Sequence, residues 1–138
     1  MNLPKIAQHL RTLHFYAQHA HHVTKGVTFM QDHKHFGSLY EDYADAYDTV
    51  IETALGNKTK VDEFALAIAA AEHARKCAES DGTSHVKMFQ TVLDLEIELQ
   101  TLLNAANRTS DLGDQNLLAQ LHQDSKHRAN YKIAQRLK

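Results

Sequence analysis

Four histidines lie within the sixteen-residue segment HHVTKGVTFMQDHKHF, which covers residues 21–36. They are His21, His22, His33 and His35. Neutral imidazole binds zinc, iron, copper and nickel, although most histidines at a protein surface have no such role. The cluster therefore indicates either metal binding or an ordinary polar surface, and the choice depends on the other ligands that accompany it.

Four carboxylates follow the histidines at spacings that place them on one face of a helix. Glu41, Asp45, Asp48 and Glu52 are separated by four, three and four residues, and like charges at these spacings destabilise a helix. Such a row is often only a solvated acidic face. Together with imidazoles, it is also the ligand mixture that suits iron, manganese or zinc, since copper(I) and iron–sulfur clusters favour thiolates. The chain has one cysteine, Cys77, which lacks a partner cysteine for a thiolate site.

The composition and the apolar spacing predict an all-α fold. The 138 residues include one proline, five glycines and no tryptophan, which favours long helices within one domain. Apolar residues recur every three or four positions in four segments, at about residues 4–25, 36–54, 88–106 and 114–131, and we expect Asp114 to cap the last helix. A shorter alanine-rich segment covers residues 61–80. We predict a single domain over residues 1–138, an antiparallel four-helix bundle with a short extra helix between its second and third helices.

The charge and hydropathy of the chain argue against two classes of partner. The formal net charge is −2, which gives no electrostatic drive toward nucleic acid. No apolar run approaches the roughly 20 residues of a transmembrane helix, and MNLPKIAQHL lacks the continuous apolar core of a signal peptide. We therefore expect a soluble, cytoplasmic protein without membrane partners.

The histidine and carboxylate segments share a pattern with one family of helical proteins. The chain resembles the Dps miniferritins, the ferritin-like DNA-binding proteins of starved cells, in which this region reads H-W-x-V-K-G-x-x-F-x-x-L-H-x-x-F-x-x-L-Y, followed by an aspartate and a glutamate. Several matching positions are not metal ligands, so histidine richness alone does not produce the match. The matching residues are His21, Lys25, Gly26, Phe29, His33, Phe36, Leu39, Tyr40, Asp48 and Glu52.

The resemblance implies a site and an activity. It implies a ferroxidase centre at a two-fold interface, with His21 and His33 of one subunit facing Asp48 and Glu52 of another. Fe(II) would be oxidised there by hydrogen peroxide or oxygen, and Fe(III) would be stored in a hollow homo-oligomeric cage, expected to be a dodecamer. This activity protects cells against oxidative damage. The spacing is compatible with it, because Asp48 and Glu52 are four residues apart and can share a cation on one side of a helix.

The chain departs from the family pattern at two positions near the implied site. The aspartate that the family has one turn after the second histidine is Gly37 here, so we expect one iron position to be weaker. The aromatic residue after the first histidine, proposed to absorb oxidising equivalents, is His22. That role would pass to a tyrosine such as Tyr40 or Tyr43, or be absent.

The lysine-rich terminal extension with which many family members hold DNA is also missing, and DNA binding is not expected. The segment MNLPKIAQHL contains a single lysine, Lys5. Basic residues near the C-terminus are expected instead to complement the helix dipole and to solvate the last helix. They are Lys126, Arg128, Lys132, Arg136 and Lys138.

Two alternatives remain at the level of the sequence. Glu98 and the pair Asp124 and His127 are spaced in a way that resembles the di-iron site of bacterioferritins, which lies within one subunit. The chain would then carry a site inside its own bundle. Alternatively, the protein keeps the cage and some metal binding but lacks efficient oxidation, because of Gly37 and His22.

Overall fold

The computed structural model describes residues 2–138, and these residues form helices and no strands. This agrees with the predicted all-α class. Among the described residues, no helix is both long and apolar enough to cross a membrane. The helices are α1 (Leu3–Val23), α2 (Phe29–Gly56), α3 (Glu63–Asp81), α4 (His85–Asn107), α5 (Leu112–His127), a π-helical segment (Arg128–Ile133) and the short α6 (Ala134–Arg136).

Helices α1 and α2 form a long antiparallel hairpin. The Asn2 side chain caps α1 by accepting a hydrogen bond from the Lys5 amide, and Pro4 lies in the first turn, where its missing N–H is not needed. Helix α1 ends at Val23, two residues before the expected Lys25, and Gly26 follows with a φ of +102°. Glycine adopts this left-handed conformation without strain, so the chain reverses within a few residues and α2 packs along α1.

Helix α3 is the extra helix predicted from the alanine-rich segment at residues 61–80, and it lies at nearly the same place. It has 19 residues and begins at an N-cap, Asp62, whose carboxylate accepts hydrogen bonds from two backbone amides. Alanine has the highest helix propensity, which explains why the alanine-rich segment stays helical throughout. Leu66, Ala70 and Ala74 are its buried residues, and α3 packs mainly against α1.

The connection between α4 and α5 corrects the predicted cap of the last long helix. Asp111, rather than Asp114, is the N-cap residue of α5, because its side chain accepts a hydrogen bond from the Asp114 amide at 2.9 Å. Asp114 is buried and accepts a hydrogen bond from Nδ2 of Asn57 at 2.8 Å. The start of α5 is thereby tied to the end of α2.

A buried ion pair joins α4 to the C-terminal helices within the core. Nε and Nη2 of Arg128 donate to the two carboxylate oxygens of Glu96 at 2.6 and 3.1 Å, and the guanidinium lies 5.0 Å from the ring centre of Tyr43. Burial raises the pKa of Glu96, and the hydrogen bonds and charge of Arg128 oppose that rise. Arg128 therefore points into the core and does not solvate the last helix as expected.

Candidate metal centre

His21 and His33 meet where α1 ends and α2 begins. The Nδ1 atom of His21 lies 2.6 Å from the main-chain oxygen of His33, and Nδ1 of His33 lies 2.7 Å from the main-chain oxygen of His21. The two rings stack, with 3.7 Å between their centres and 17° between their planes. The hairpin therefore brings together the two histidines that the sequence predicts as ligands.

The reciprocal hydrogen bonds fix the tautomer of both rings. A carbonyl oxygen only accepts, so each Nδ1 must carry the proton and donate it. In a neutral imidazole the Nε2 atom then keeps its lone pair. Metal-binding histidines have this arrangement, since the second ring nitrogen usually donates to a carbonyl or carboxylate and fixes the ring. His21 and His33 thus have the hydrogen bonding of metal ligands.

The stacking of the His21 and His33 rings determines whether they can bind the same metal ion. A metal ion bound by imidazole lies in the ring plane at about 2.0–2.1 Å from the nitrogen. Because the planes are nearly parallel and the ring centres are 3.7 Å apart, one ion cannot lie in both planes. The two imidazoles therefore cannot share one ion, and each would bind an ion of its own.

Three neighbouring residues hold the histidine pair in place. The Phe29 ring stacks on His33 at 5.0 Å between centres, and Tyr40 meets His21 edge-on at 5.3 Å. Gly37 lies beneath His21, where an added Cβ would be 3.0 Å from the Cε1 and Nδ1 atoms of the ring. The imidazole of His21 therefore occupies the space beside Gly37 into which a side chain at this position would extend.

The two predicted carboxylate ligands lie elsewhere on the same chain. Asp48 and Glu52 are exposed on α2, and Asp48 follows His33 by 15 residues, which is about 22 Å along a helix. Within residues 2–138, no group of three or more histidine, cysteine, aspartate or glutamate side chains is arranged to hold a metal ion. One chain thus presents the histidine half and the carboxylate half of the predicted site at separate places.

The face between the two halves carries a second polar cluster. Nη1 of Arg11 donates to Nδ1 of His14 at 3.2 Å. The guanidinium of Arg11 also lies 3.5 Å from the ring centre of Tyr47. Burial and the charge of Arg11 lower the pKa of His14, while Asp48 acts in the opposite direction. The His14 ring also lies 5.9 Å from that of Tyr40. We call the surface formed by Arg11, His14, His21, His33 and Tyr40 the α1–α2 face.

The other two histidines of the cluster have different surroundings. His22 is exposed, with its ring 5.7 Å from that of His21. His35 faces the core instead, 5.1 Å from the Phe89 ring, and its buried Nε2 has no hydrogen-bond partner among the described residues. Burial and the charge of Lys132 lower the pKa of His35. Neither residue joins the stacked pair.

The alternative site within one subunit is not formed. The charge of Glu98 acts on His9 of α1, whereas Asp124 and His127 line an open groove of about 570 Å³ between α5 and α2, together with Asp45. The residue of α4 that faces α5 is Glu96, and a side chain two positions later in a helix points away by about 200°. Glu98 therefore lies apart from Asp124 and His127 within one chain.

Two residues next to the histidine pair were not identified from the sequence. Asp32 is 1% exposed and forms a bidentate salt bridge with Arg136, at 2.8 and 2.9 Å. Arg136 was expected to be a solvated residue of the last helix. The sequence did contain an indication of this salt bridge. The family pattern has leucine at the position of Asp32, and a carboxylate at an apolar position needs a partner.

The comparisons with known proteins found no similar chain. No family model matches, and neither the curated proteins nor the solved structures include a match. The residues of the site and their geometry, together with the motif described above, are therefore the basis for assigning a function.

Proposed function

We propose that the protein is a miniferritin that oxidises Fe(II) at a site shared between two subunits and stores Fe(III). The stacked pair of His21 and His33 is the observation that carries this proposal. Both Nδ1 atoms donate to main-chain carbonyls, which leaves two Nε2 lone pairs for two cations. Iron suits a site that combines these imidazoles with the carboxylates of Asp48 and Glu52.

The distance between the two halves of the site favours a two-fold assembly. If a second copy packs against the α1–α2 face with its α2 antiparallel, the carboxylates of each chain lie opposite the histidines of the other. The two-fold axis then passes near Tyr40 and Glu41, which are midway between His33 and Asp48 in the sequence. Such an interface is isologous, so it creates two equivalent sites.

The reaction follows from the ligands that each chain supplies. Two Fe(II) ions each give one electron to hydrogen peroxide, the O–O bond breaks, and two Fe(III) ions and two hydroxide ions result. The anionic carboxylates of Asp48 and Glu52 stabilise the added positive charge, and spacing by four residues lets them hold or bridge the two ions. Asp45, which is exposed on the same helix, adds negative potential that concentrates cations near the site.

The surroundings of the histidine pair favour one tyrosine as the aromatic residue of the site. Tyr40 is in edge contact with His21. Tyr43 is fully buried beside Glu96 and Arg128, and this burial raises its pKa well above the ordinary value. Of the two candidates, the contact with His21 favours Tyr40 as the residue that would exchange an electron with iron.

The proposal includes the arrangement of the whole protein. Helices α1, α2, α4 and α5 form a ferritin-like four-helix bundle, with α3 as the extra helix packed on α1. The bundles assemble into a closed shell, which we expect to be a dodecamer in the cytoplasm that limits oxidative damage. The salt bridges and hydrogen bonds that connect α2 with the last helices support this arrangement.

The test is to remove the ligands one at a time. His33→Ala and Asp48→Ala are loaded anaerobically with Fe(II) and mixed with peroxide, and ultraviolet absorbance follows Fe(III). We expect each variant to oxidise iron at least about tenfold more slowly, as loss of a ligand implies. His19→Ala and Asp42→Ala are matched controls that remove an exposed imidazole from α1 and an exposed carboxylate from α2. Undiminished oxidation in both ligand variants, with unchanged circular dichroism, would show that the assignment is wrong.

A second candidate function is a metal-binding cage without efficient oxidation. The observation in its favour is Gly37, which cannot supply a carboxylate and lies against the His21 ring. The same experiment separates the two candidates. Fe(II) binding measured by titration under nitrogen, without a subsequent rise in absorbance on adding peroxide, would identify the non-catalytic cage.

A further inference from the structure

The C-terminal end of the chain is fastened to the start of α2. Nε and Nη2 of Arg136 donate to both carboxylate oxygens of Asp32, and Nη2 also lies 3.4 Å from Oγ1 of Thr28. Thr28 itself donates to Asp32 at 2.7 Å. Burial alone would raise the pKa of Asp32, but the hydrogen bonds from Arg136 and Thr28 outweigh it and lower the pKa. We call Thr28, Asp32 and Arg136 the C-terminal clasp.

The π-helical segment determines where Arg136 lies. Arg128 and Ile133 are both buried, although five residues turn an α-helix by about 140° and would place them on different sides. Hydrogen bonding from i to i+5 widens the turn and keeps both residues on the core side. Arg136 follows one turn later, with its guanidinium 5.2 Å from the ring centre of Phe89. Its side chain, 27% exposed, thus reaches the nearly inaccessible carboxylate of Asp32.

The clasp acts on the turn that carries a predicted ligand. Thr28 is the N-cap residue of α2, but its side chain forms no capping hydrogen bond with the helix amides. The first turn is held instead through Asp32, whose backbone N–H donates to the Thr28 carbonyl at 3.0 Å. His33 is the next residue, and both its ring and its carbonyl bond to His21. A shift of this turn would therefore break the stacked pair.

We propose that Arg136 is a positioning residue for the histidine pair, holding His33 in register with His21 through Asp32 and Thr28. This inference rests on the proposed function only in treating the pair as metal ligands. The family pattern has an apolar residue at position 32, so the clasp is a feature of this chain. It makes the order of the site depend on the last residues of the sequence.

The test compares Arg136→Met with a second variant that is also destabilised but whose substitution lies far from the C-terminal clasp. Leu103→Ala opens a cavity in α4 at the opposite end of the core and serves as the matched control, since it lowers the melting temperature without touching the clasp. Arg136→Lys keeps the charge but not the bidentate geometry. Hydrogen–deuterium exchange by mass spectrometry follows the backbone of residues 28–36 in metal-free protein, and titration with Co(II) measures affinity.

We expect Arg136→Met to speed exchange in residues 28–36 and to weaken Co(II) binding about tenfold, as for other groups that orient a ligand. Arg136→Lys should be intermediate, and Leu103→Ala should change neither quantity. If Arg136→Met resembles Leu103→Ala in both measurements, or changes exchange but not Co(II) affinity, the positioning role is wrong. If His33→Ala binds Co(II) as well as the unchanged protein does, the metal site is wrong, and the exchange comparison alone then decides whether Arg136 orders the turn.

Discussion

At the scale of single residues, Gly37 leaves room for the His21 ring because it has no side chain. A glycine inside a helix costs about 1 kcal/mol relative to alanine, yet Gly37 lies in the middle of α2. The His21 ring occupies the space where a Cβ would extend. The family pattern has an aspartate at this position, but the close contact with His21 argues against a gain in iron affinity from Gly37→Asp.

Gly37→Ala should therefore stabilise the helix and weaken the metal site. The added methyl must displace the His21 imidazole by a few tenths of an ångström, which separates it from the His33 carbonyl. We expect Fe(II) affinity, measured by titration under nitrogen, to fall about tenfold. Gly56→Ala is the control, because it adds the same group to α2 with no atom within 4 Å. Equal Fe(II) affinity of the two variants would show that Gly37 does not support the pair.

His9 should make stability depend on pH near neutrality. Its Nε2 donates to the Leu95 carbonyl at 2.7 Å, and burial lowers its pKa below the ordinary 6.5, although that hydrogen bond and Glu98 oppose the change. At a pH between the two pKa values of His9, the imidazole is protonated more often in the unfolded chain than in the folded one. The free energy of unfolding therefore falls as pH drops below about 6.5.

The variant His9→Gln tests this dependence on pH. Glutamine can donate to the Leu95 carbonyl but does not titrate, so urea unfolding at pH 7 and pH 5 should show a smaller difference than in the unchanged protein. His19→Gln, which removes an exposed imidazole from the same helix, should leave the difference as it is. A full pH effect in His9→Gln would mean that His9 is not its source.

At the scale of helices, the buried pair of Glu96 and Arg128 connects α4 with the π-helical segment. Removing one member leaves a charge without its partner in a low-dielectric core, which typically costs about 3–5 kcal/mol. We expect Arg128→Met to lower the free energy of unfolding by that amount, and Glu96→Leu combined with Arg128→Met to recover most of it. Arg75→Met, which removes only exposed ion pairs on α3, should change stability little.

Urea unfolding monitored by circular dichroism measures all three variants. If the double variant is as unstable as Arg128→Met, the loss comes from packing of the arginine stem and not from the unpaired carboxylate. In that outcome the pair would not be the connection between α4 and the C-terminal helices that the structure suggests.

The helices themselves could be predicted largely from the sequence, because apolar spacing and turn residues act locally. The beginning of α5 was missed by three residues, since Asp111 and Asp114 both fit a cap and the choice depends on Asn57. The inward orientation of Arg128 and Arg136 could not be predicted, because their partners Glu96 and Asp32 are 32 and 104 residues away in the chain. The candidate ligands could be predicted from a sequence motif. The stacking of the His21 and His33 rings could not, because it depends on the folded hairpin of α1 and α2.

At the scale of the whole molecule, the central claim is that a single chain is incomplete. The histidine pair is half-buried where α1 ends and α2 begins, whereas Asp48 and Glu52 are exposed farther along α2. His33 and Asp48 are about 22 Å apart if measured along the helix. Every version of the proposed oxidation therefore requires assembly, and a stable monomer with full activity is incompatible with it.

Complementation between two inactive variants tests this claim most directly. His33→Ala and Asp48→Ala are co-expressed with different affinity tags, and mixed assemblies are isolated through both tags. In a two-fold dimer that contains one chain of each kind, one site has lost both groups and the other is intact. With random pairing at equal amounts, about a quarter of all sites are restored. We therefore predict that rapid Fe(II) oxidation returns to about a quarter of its full amplitude in the mixed assemblies, while either variant alone stays inactive. Mixed assemblies without any recovery of oxidation would contradict a site shared between subunits.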